Sequence, residues 1–330
     1  MSKGKGEFFA VEVNAWELAC GVGLNPAIAY LVMARGTGRD NVTTMWSAEA
    51  VFRHSGIAWR RADAAIRQLI EEGLVTKLKA GKRPRYKLTL PGSKEDLIWL
   101  PNSLVTGAGD EVPPIAKLRQ TQELSYLRAY IGLYDMQDLT GDGGLPRSLM
   151  WHPMETRKRI MSYGPFDVVG FTKQSERYCN TTGPLAVFKG DDPPSAWDFL
   201  TTLERLGLLE WVIYLADSES PDSELIHPLT GDEHAEGVAS AAFEFASELP
   251  GGFKYETENF DFVLPIPSHM AKATLVGVGR LRYRPRTART SAWYAQHVKS
   301  CQEHEAMYKR LQAGDFKSAE GFRAASGGQS

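Results

Sequence analysis

The chain has 330 residues, with 38 lysines and arginines against 40 aspartates and glutamates, so its net charge is −2 at neutral pH. This length accommodates two domains, and the balanced charge excludes a uniformly basic nucleic-acid-binding chain. The three cysteines lie far apart, which excludes a disulfide framework or a zinc knuckle. The sequence shows neither a signal peptide nor an apolar run of membrane-spanning length. We therefore expect a cytoplasmic protein without membrane contact.

Residues 1–90 are predicted to form the first domain. Asn25 and Pro26 predict a helix start, with an N-cap followed by proline at the first helical position, and the helix continues to Gly36. The segment contains 14 basic and eight acidic residues. This local excess of positive charge suits a domain that binds a polyanion.

Within this domain, residues 42–90 predict two helices and a hairpin. Ser47 stands at the N-cap of a short helix, where its hydroxyl can accept from the first N–H groups, and Gly56 ends that helix in the left-handed conformation. A longer helix is predicted from about Ala58 to Glu72. Its apolar positions form one stripe, which consists of Ala62, Ile66, Leu69 and Ile70.

The residues after Gly73 predict a β-hairpin with one basic and one apolar face. The turn falls at 80–83, and charged and apolar residues alternate along the strands. The charged residues are Lys77, Lys79, Lys82, Arg83, Arg85 and Lys87. The apolar residues are Leu78, Tyr86 and Leu88.

This order of short helix, turn, longer helix and basic hairpin, joined at Glu71-Glu72-Gly73-Leu74-Val75, resembles the winged helix-turn-helix family of DNA-binding proteins. The resemblance covers roughly a seventh of the chain. In such proteins the second helix of the pair enters the major groove, where arginine can pair with both guanine acceptors. The resemblance therefore implies double-stranded DNA as the partner. The resemblance implies that the charged hairpin residues contact this DNA, together with six residues of the helices, which are Ser47, Trp59, Arg60, Arg61, Asp63 and Arg67. The alternative is a winged helix used for protein contacts.

Residues 91–123 are predicted to be a connector, and residues 124–229 a second, degenerate winged helix. A helix over 124–138 and a short strand precede a helix capped by Ser195. That helix ends at Gly207, and the glycine and the apolar residues after it resemble the helix–glycine–strand junction of the first copy. The segment 217–261 then contains twelve acidic residues and one lysine. Such a surface repels phosphates, so we expect this domain to contact protein, and a homodimer formed through it is the candidate assembly.

Residues 230–330 are predicted to form an acidic segment, a basic strand and a C-terminal helix. Alternation across 273–284 places arginines on one face of a strand, close enough together to follow a phosphate backbone. A solvated edge strand is the alternative. The row consists of Arg280, Arg282, Arg284 and Arg286.

No catalytic motif is recognisable, so an enzyme, a cofactor and a metal are not expected. His297, Cys301 and His304 share one face of the last helix, but a metal-free surface is favoured. His227 is expected to be solvated.

The predicted fold class is α+β, with tandem winged-helix domains and a C-terminal β/α extension. The predicted function is sequence-specific binding of double-stranded DNA by a transcription regulator of a bacterial or mobile-element system. A plasmid or phage replication initiator is one alternative, because tandem winged helices in one chain are similar to such initiators. A protein-interaction subunit of a larger complex is the other.

Overall fold

The computed structural model of the chain describes residues 7–38, 40–81, 84–89, 96–173, 177–190, 194–249 and 259–316. The fold is α+β, as predicted. The chain divides into two compact units. The first unit contains residues 1–137, 181–208 and 281–290, and the second contains residues 138–180, 209–280 and 291–330. Among the described residues, no helix has the length and apolar character needed to cross a membrane.

The first unit is mainly helical. Its helices are α1 (Val13–Val22), α2 (Leu24–Arg35), α3 (Ala48–Ser55), α4 (Trp59–Glu71), α5 (Ser103–Thr106), α6 (Pro114–Gln120), α7 (Leu124–Met136) and α8 (Ala196–Arg205), with a 3₁₀ segment at Gly183–Phe188. Its strands are β1 (Phe8–Glu12), β2 (Thr43–Thr44), β3 (Val75–Lys79), β4 (Arg85–Leu88) and β5 (Leu97–Pro101). Strands β1 and β5 pair antiparallel, and the other three form a sheet of order β2-β4-β3.

The second unit is built on a large sheet. Its strands are β6 (Met150–Tyr163), β7 (Phe166–Lys173), β8 (Tyr178–Cys179), β9 (Leu209–Ala216), β10 (Leu225–Pro228), β11 (Phe262–Pro267) and β12 (Thr274–Leu281). Their order is β10-β9-β12-β6-β7-β11, and β8 pairs with β6. Two further helices are α9 (Glu233–Glu248) and α10 (Ala288–Gln312). The core forms where these helices pack on the sheet, around Phe166, Phe245 and Tyr308.

Six elements of the chain occur twice in the same order. The first set is α2, β2, α3, α4, β3 and β4, and the second is α7, β6, the 3₁₀ segment, α8, β9 and β12. The strand order also repeats, as β2-β4-β3 in the small sheet and β6-β12-β9 within the large one. The connectivity of the first copy is the predicted winged-helix arrangement, and the second copy has the same order with longer strands and with β7 and β8 inserted after β6.

The repeat extends to individual positions. The buried residues of α4 are Ala62, Ala65, Ile66 and Leu69, and those of α8, at the same spacing, are Ala196, Phe199, Leu200 and Leu203. Gly73 and Gly207 follow the two helices with φ of 73° and 65°, a region that favours glycine. The N–H of Leu74 then donates to the Leu69 carbonyl at 2.9 Å, and that of Leu208 to the Leu203 carbonyl at 2.8 Å.

The predicted bounds of the second copy, 124–229, require correction. The predicted pairing of β9 with β10 is present as an antiparallel hairpin. The strand that corresponds to β4 of the first copy is nevertheless β12, on the other side of β9, and β10, α9 and β11 are inserted between them. The second copy therefore continues to Leu281. Its helices belong to the first unit and its strands to the second, while the predicted connector 91–123 supplies β5, α5 and α6 to the first unit. The predicted acidic segment contains α9, which the sequence analysis did not predict.

Candidate nucleic-acid interface

The turn between α3 and α4 fixes the start of the predicted reading helix. Gly56 has φ 71° and its N–H donates to the Phe52 carbonyl at 2.9 Å, which closes α3 as predicted. The Ser55 hydroxyl donates to the Val51 carbonyl at 2.6 Å. Ile57 is buried. These contacts determine where α4 begins, two residues further on.

Helix α4 buries one face and presents a largely cationic one. Trp59, at its first position, is 56% exposed, and Arg60 and Arg61 are exposed beside it. Within the described part of the chain, neither arginine has an ion-pair partner. Arg67 is also exposed but pairs with Asp63 at 3.2 Å. The uncompensated charge is therefore concentrated at the N-terminal end, which is the end that reads bases in helix-turn-helix proteins.

Asp63 connects α4 electrostatically to the hairpin. Burial, and secondarily the negative charge of Asp63, raise the pKa of Tyr86 on β4. Because Arg67 pairs with the Asp63 carboxylate at 3.2 Å, the negative charge of Asp63 is partly compensated within the protein. We therefore expect Asp63 to separate the cations of the predicted interface without contacting DNA through an uncompensated carboxylate.

The hairpin β3–β4 forms as predicted and its described cations are exposed, but the register places Lys77 opposite Tyr86, on the face away from Arg85 and Lys87. Tyr86 and Leu88 are buried, whereas Leu78 is 52% exposed, so its predicted place on the apolar face is wrong. The cause is an irregularity in the β3–β4 register between Lys77 and Lys79, which interrupts the alternation of faces. The exposed cations are Lys77, Lys79, Arg85 and Lys87. Lys82 and Arg83, at the predicted tip, lie outside the described residues.

Ser47 occupies the N-cap position of α3, but its side chain makes no capping hydrogen bond. The predicted capping role of its hydroxyl is therefore wrong. The Val51 N–H donates to the Ser47 carbonyl at 3.1 Å, which is the first regular hydrogen bond of α3 and does not replace a side-chain cap. Ser47 remains at the predicted interface as a half-buried hydroxyl at a helix start.

The predicted phosphate contact by Arg280 is wrong. Its side chain is only 1% exposed, and its guanidinium donates to the Asp142 carbonyl at 2.6 Å and to the Tyr214 hydroxyl. It also lies over the Trp293 ring at 5.0 Å. The reason is that β12 is an inner strand between β9 and β6 in which every residue is buried, so other parts of the protein cover both of its faces. Period-two alternation does not distinguish such a strand from an edge strand.

The other members of the predicted arginine row lie beyond β12, which ends at Leu281. Arg282 pairs with Glu111 at 2.8 Å and Arg286 with Glu7 at 3.1 Å. Arg284 is half-buried. The row is therefore not one strand face, and two of its cations already have carboxylate partners in the first unit.

The predicted acidic surface is present on the second unit. The segment between β9 and β10 exposes four carboxylates, of Asp217, Glu219, Asp222 and Glu224. One of these, Asp217, accepts from the Glu224 N–H at 3.0 Å. This segment would repel a phosphate backbone, in contrast to the hairpin of the first copy.

The histidines of the second unit have structural partners. His227 is buried, not solvated as predicted, and one ring nitrogen is 3.1 Å from the Tyr308 hydroxyl. His297 lies 2.7 Å from the Asp232 carboxylate and 3.8 Å from the Cys301 sulfur. Among the described residues, no group of three or more His, Cys, Asp or Glu side chains is placed to hold a metal ion.

One residue near the turn was not anticipated from the sequence. Arg119 of α6 donates through Nε to the Ser55 carbonyl, the last of α3, at 2.8 Å. Its sequence position in the predicted connector carries no signal for this contact, because the partner is distant along the chain. Tertiary packing alone places a further cation beside the helix-turn-helix.

Comparisons with protein-family models, curated proteins and solved structures found no match for this chain.

Proposed function

We propose that this chain is a sequence-specific double-stranded DNA-binding protein, with α4 as its reading helix and β3–β4 as its wing. The observation that carries the proposal is that Arg60 and Arg61 are exposed at the N-terminal end of α4 and have no ion-pair partner among the residues that the structure describes. The described part of the adjacent hairpin exposes four more cations. Arginine at this position can contact guanine in the major groove, and the hairpin lysines can contact phosphates.

Transcription regulation is the role that the charge distribution favours. The first copy exposes cations on α4 and β3–β4, whereas the second unit exposes carboxylates between β9 and β10 and, on β6, the cations Arg157, Lys158 and Arg159. A regulator needs one reading domain and a second region for protein contacts, such as pairing with another copy of the chain. The buried thiols of Cys20 and Cys301 suit the reducing cytoplasm in which such a regulator works.

A replication initiator is the second candidate. The observation in its favour is the repeated order of helices and strands, including β2-β4-β3 and β6-β12-β9. Directly repeated binding sites with nearby duplex opening would favour this role. An inverted repeat beside a promoter would favour the regulator.

The test is a charge-removal experiment with a matched control. The full chain selects bound fragments from its source genome, and affinity for a selected duplex is measured across salt concentrations. The variant Arg60→Ala/Arg61→Ala is expected to weaken binding to the selected duplex more than to random duplex, because each lost guanine contact removes about 1–3 kcal/mol of discrimination. The control Lys309→Ala/Arg310→Ala removes two exposed charges from α10.

The control is expected to bind like the wild type. Equal binding by the α4 variant and the wild type at low salt would refute the proposed interface. A wild-type protein that retains no duplex at all, but copurifies with a protein partner, would favour the protein-interaction alternative.

A further inference from the structure

Helix α6 places two cations against the ends of two other helices. Arg119 Nε donates to the carbonyl of Ser55, the last residue of α3, at 2.8 Å. Lys117 Nζ donates to the carbonyl of Leu206, the residue that caps α8, at 3.0 Å. The last carbonyls of a helix lack intrahelical donors and form its negative end. Both cations therefore satisfy groups that the helices themselves leave open.

Arg119 also contacts the turn that leads into α4. Its Nη2 lies 3.4 Å from the point where a Cβ on Gly56 would stand, so the guanidinium packs directly against the left-handed residue. The next residue, Ile57, is buried, and α4 begins at Trp59. The Ser55 hydroxyl is already used, since it donates to the Val51 carbonyl and accepts from the Ile57 N–H at 3.3 Å. The Ser55 carbonyl thus depends on Arg119 as its side-chain donor.

We propose that Arg119 is a positioning residue for DNA reading, which acts by fixing the α3–α4 turn from outside the helix-turn-helix. This inference rests on the proposed function. Arg119 is half-buried and its Nε is engaged with Ser55. Its effect on DNA therefore passes through the direction of α4 and the placement of Arg60 and Arg61.

A positioning role has a signature different from that of a phosphate contact. Specific binding depends on the geometry of base-edge contacts, whereas non-specific binding depends on the number of neutralised phosphates. Loss of Arg119 should therefore weaken binding to a selected duplex while leaving random duplex and the salt slope unchanged. Loss of a phosphate contact would weaken both and lower the slope.

The experiment compares Arg119→Met, Arg119→Lys and Lys117→Met in the full chain. Dissociation constants are measured for a genome-selected duplex and a random duplex of the same length, at several salt concentrations. All measurements are made at a temperature below the melting temperature of each variant. Arg119→Met is expected to weaken binding to the selected duplex about tenfold, which is the effect of one disrupted base-pair contact. Arg119→Lys, which retains a donor, should recover part of the loss.

Lys117→Met is the matched control, because it removes a cation from the same helix but one that serves α8. It should keep the wild-type ratio between selected and random duplex. The proposal is overturned if Arg119→Met keeps that ratio, if its salt slope falls by about one, or if Lys117→Met loses as much selectivity. Failure of the proposed function is distinct, because the wild type itself would then show no preference for any duplex.

Discussion

Replacement of Arg280 by methionine tests whether this arginine stabilises the second unit or contacts DNA. Methionine keeps much of the aliphatic volume but removes the guanidinium. That group donates to the Asp142 carbonyl at 2.6 Å and to the Tyr214 hydroxyl, and it lies 5.0 Å from the Trp293 ring centroid. The substitution therefore removes two hydrogen bonds from a charged donor and an aromatic contact in one step.

The expected loss follows from these contacts. Hydrogen bonds to a charged group contribute about 1.5–3 kcal/mol each, and a buried cation–π contact about 2 kcal/mol. Against this, the variant no longer pays several kcal/mol to bury a cation. We expect a net loss of about 2–3 kcal/mol, because the Asp142 carbonyl is left without this donor. For a unit of this size, that corresponds to a melting temperature lower by about 4–12 °C.

The measurement is urea unfolding followed by tryptophan fluorescence and circular dichroism, with duplex binding measured on the same samples. The control is Arg282→Met, which breaks a half-exposed ion pair with Glu111 and should change stability by less than about 1 kcal/mol. Wild-type stability of Arg280→Met together with weakened duplex binding would refute the assignment of Arg280 to the core and restore it to a DNA surface.

Three further predictions concern the core and the titratable groups. Leu69→Ala and Leu203→Ala should each lower the free energy of unfolding by about 2–5 kcal/mol, since both are fully buried at equivalent positions; a loss below about 1 kcal/mol in denaturant titrations for either variant would contradict its place in the core. Burial lowers the pKa of His227 well below 6.5. Neutral His227 therefore contributes fully to the free energy of unfolding above pH 6.5, and this contribution is lost as the pH falls toward the folded pKa. A urea midpoint that stays constant between pH 7.5 and 5, with the same result for His227→Gln, would refute this. Burial raises the pKa of Cys301 to about 12, so a thiol reagent at pH 8 should modify half-buried Cys179 first, and mass spectrometry of digests would expose the reverse order.

The first copy could be predicted because its signals are local. Gly56 and Gly73 end helices whose apolar spacing is visible over one or two turns, and the hairpin cations alternate with buried Tyr86 and Leu88. The same local signal revealed α8 and the glycine that follows it. These features depend on residues that are neighbours in sequence.

The errors arose where distant segments decide the structure. Strand β10 returns along β9 as predicted, but β9 also pairs with β12 on its other side, and no local pattern reveals that partner because an insertion separates the two strands. Arg280 was assigned to a surface because alternation does not show whether a strand is central. The contact between Arg119 and Ser55 likewise joins segments that only the tertiary fold brings together.

The insertion in the second copy has a consequence for the order of folding during synthesis. The first sheet closes when β4, ending at Leu88, meets β3, ending at Lys79. The second closes only after β12, which ends at Leu281, reaches β9, which ends at Ala216. Closing a longer loop loses more entropy before the new contacts stabilise the structure, and non-local pairing slows folding. The first copy can thus mature while the ribosome is still translating, whereas the large sheet waits until most of the polypeptide has emerged.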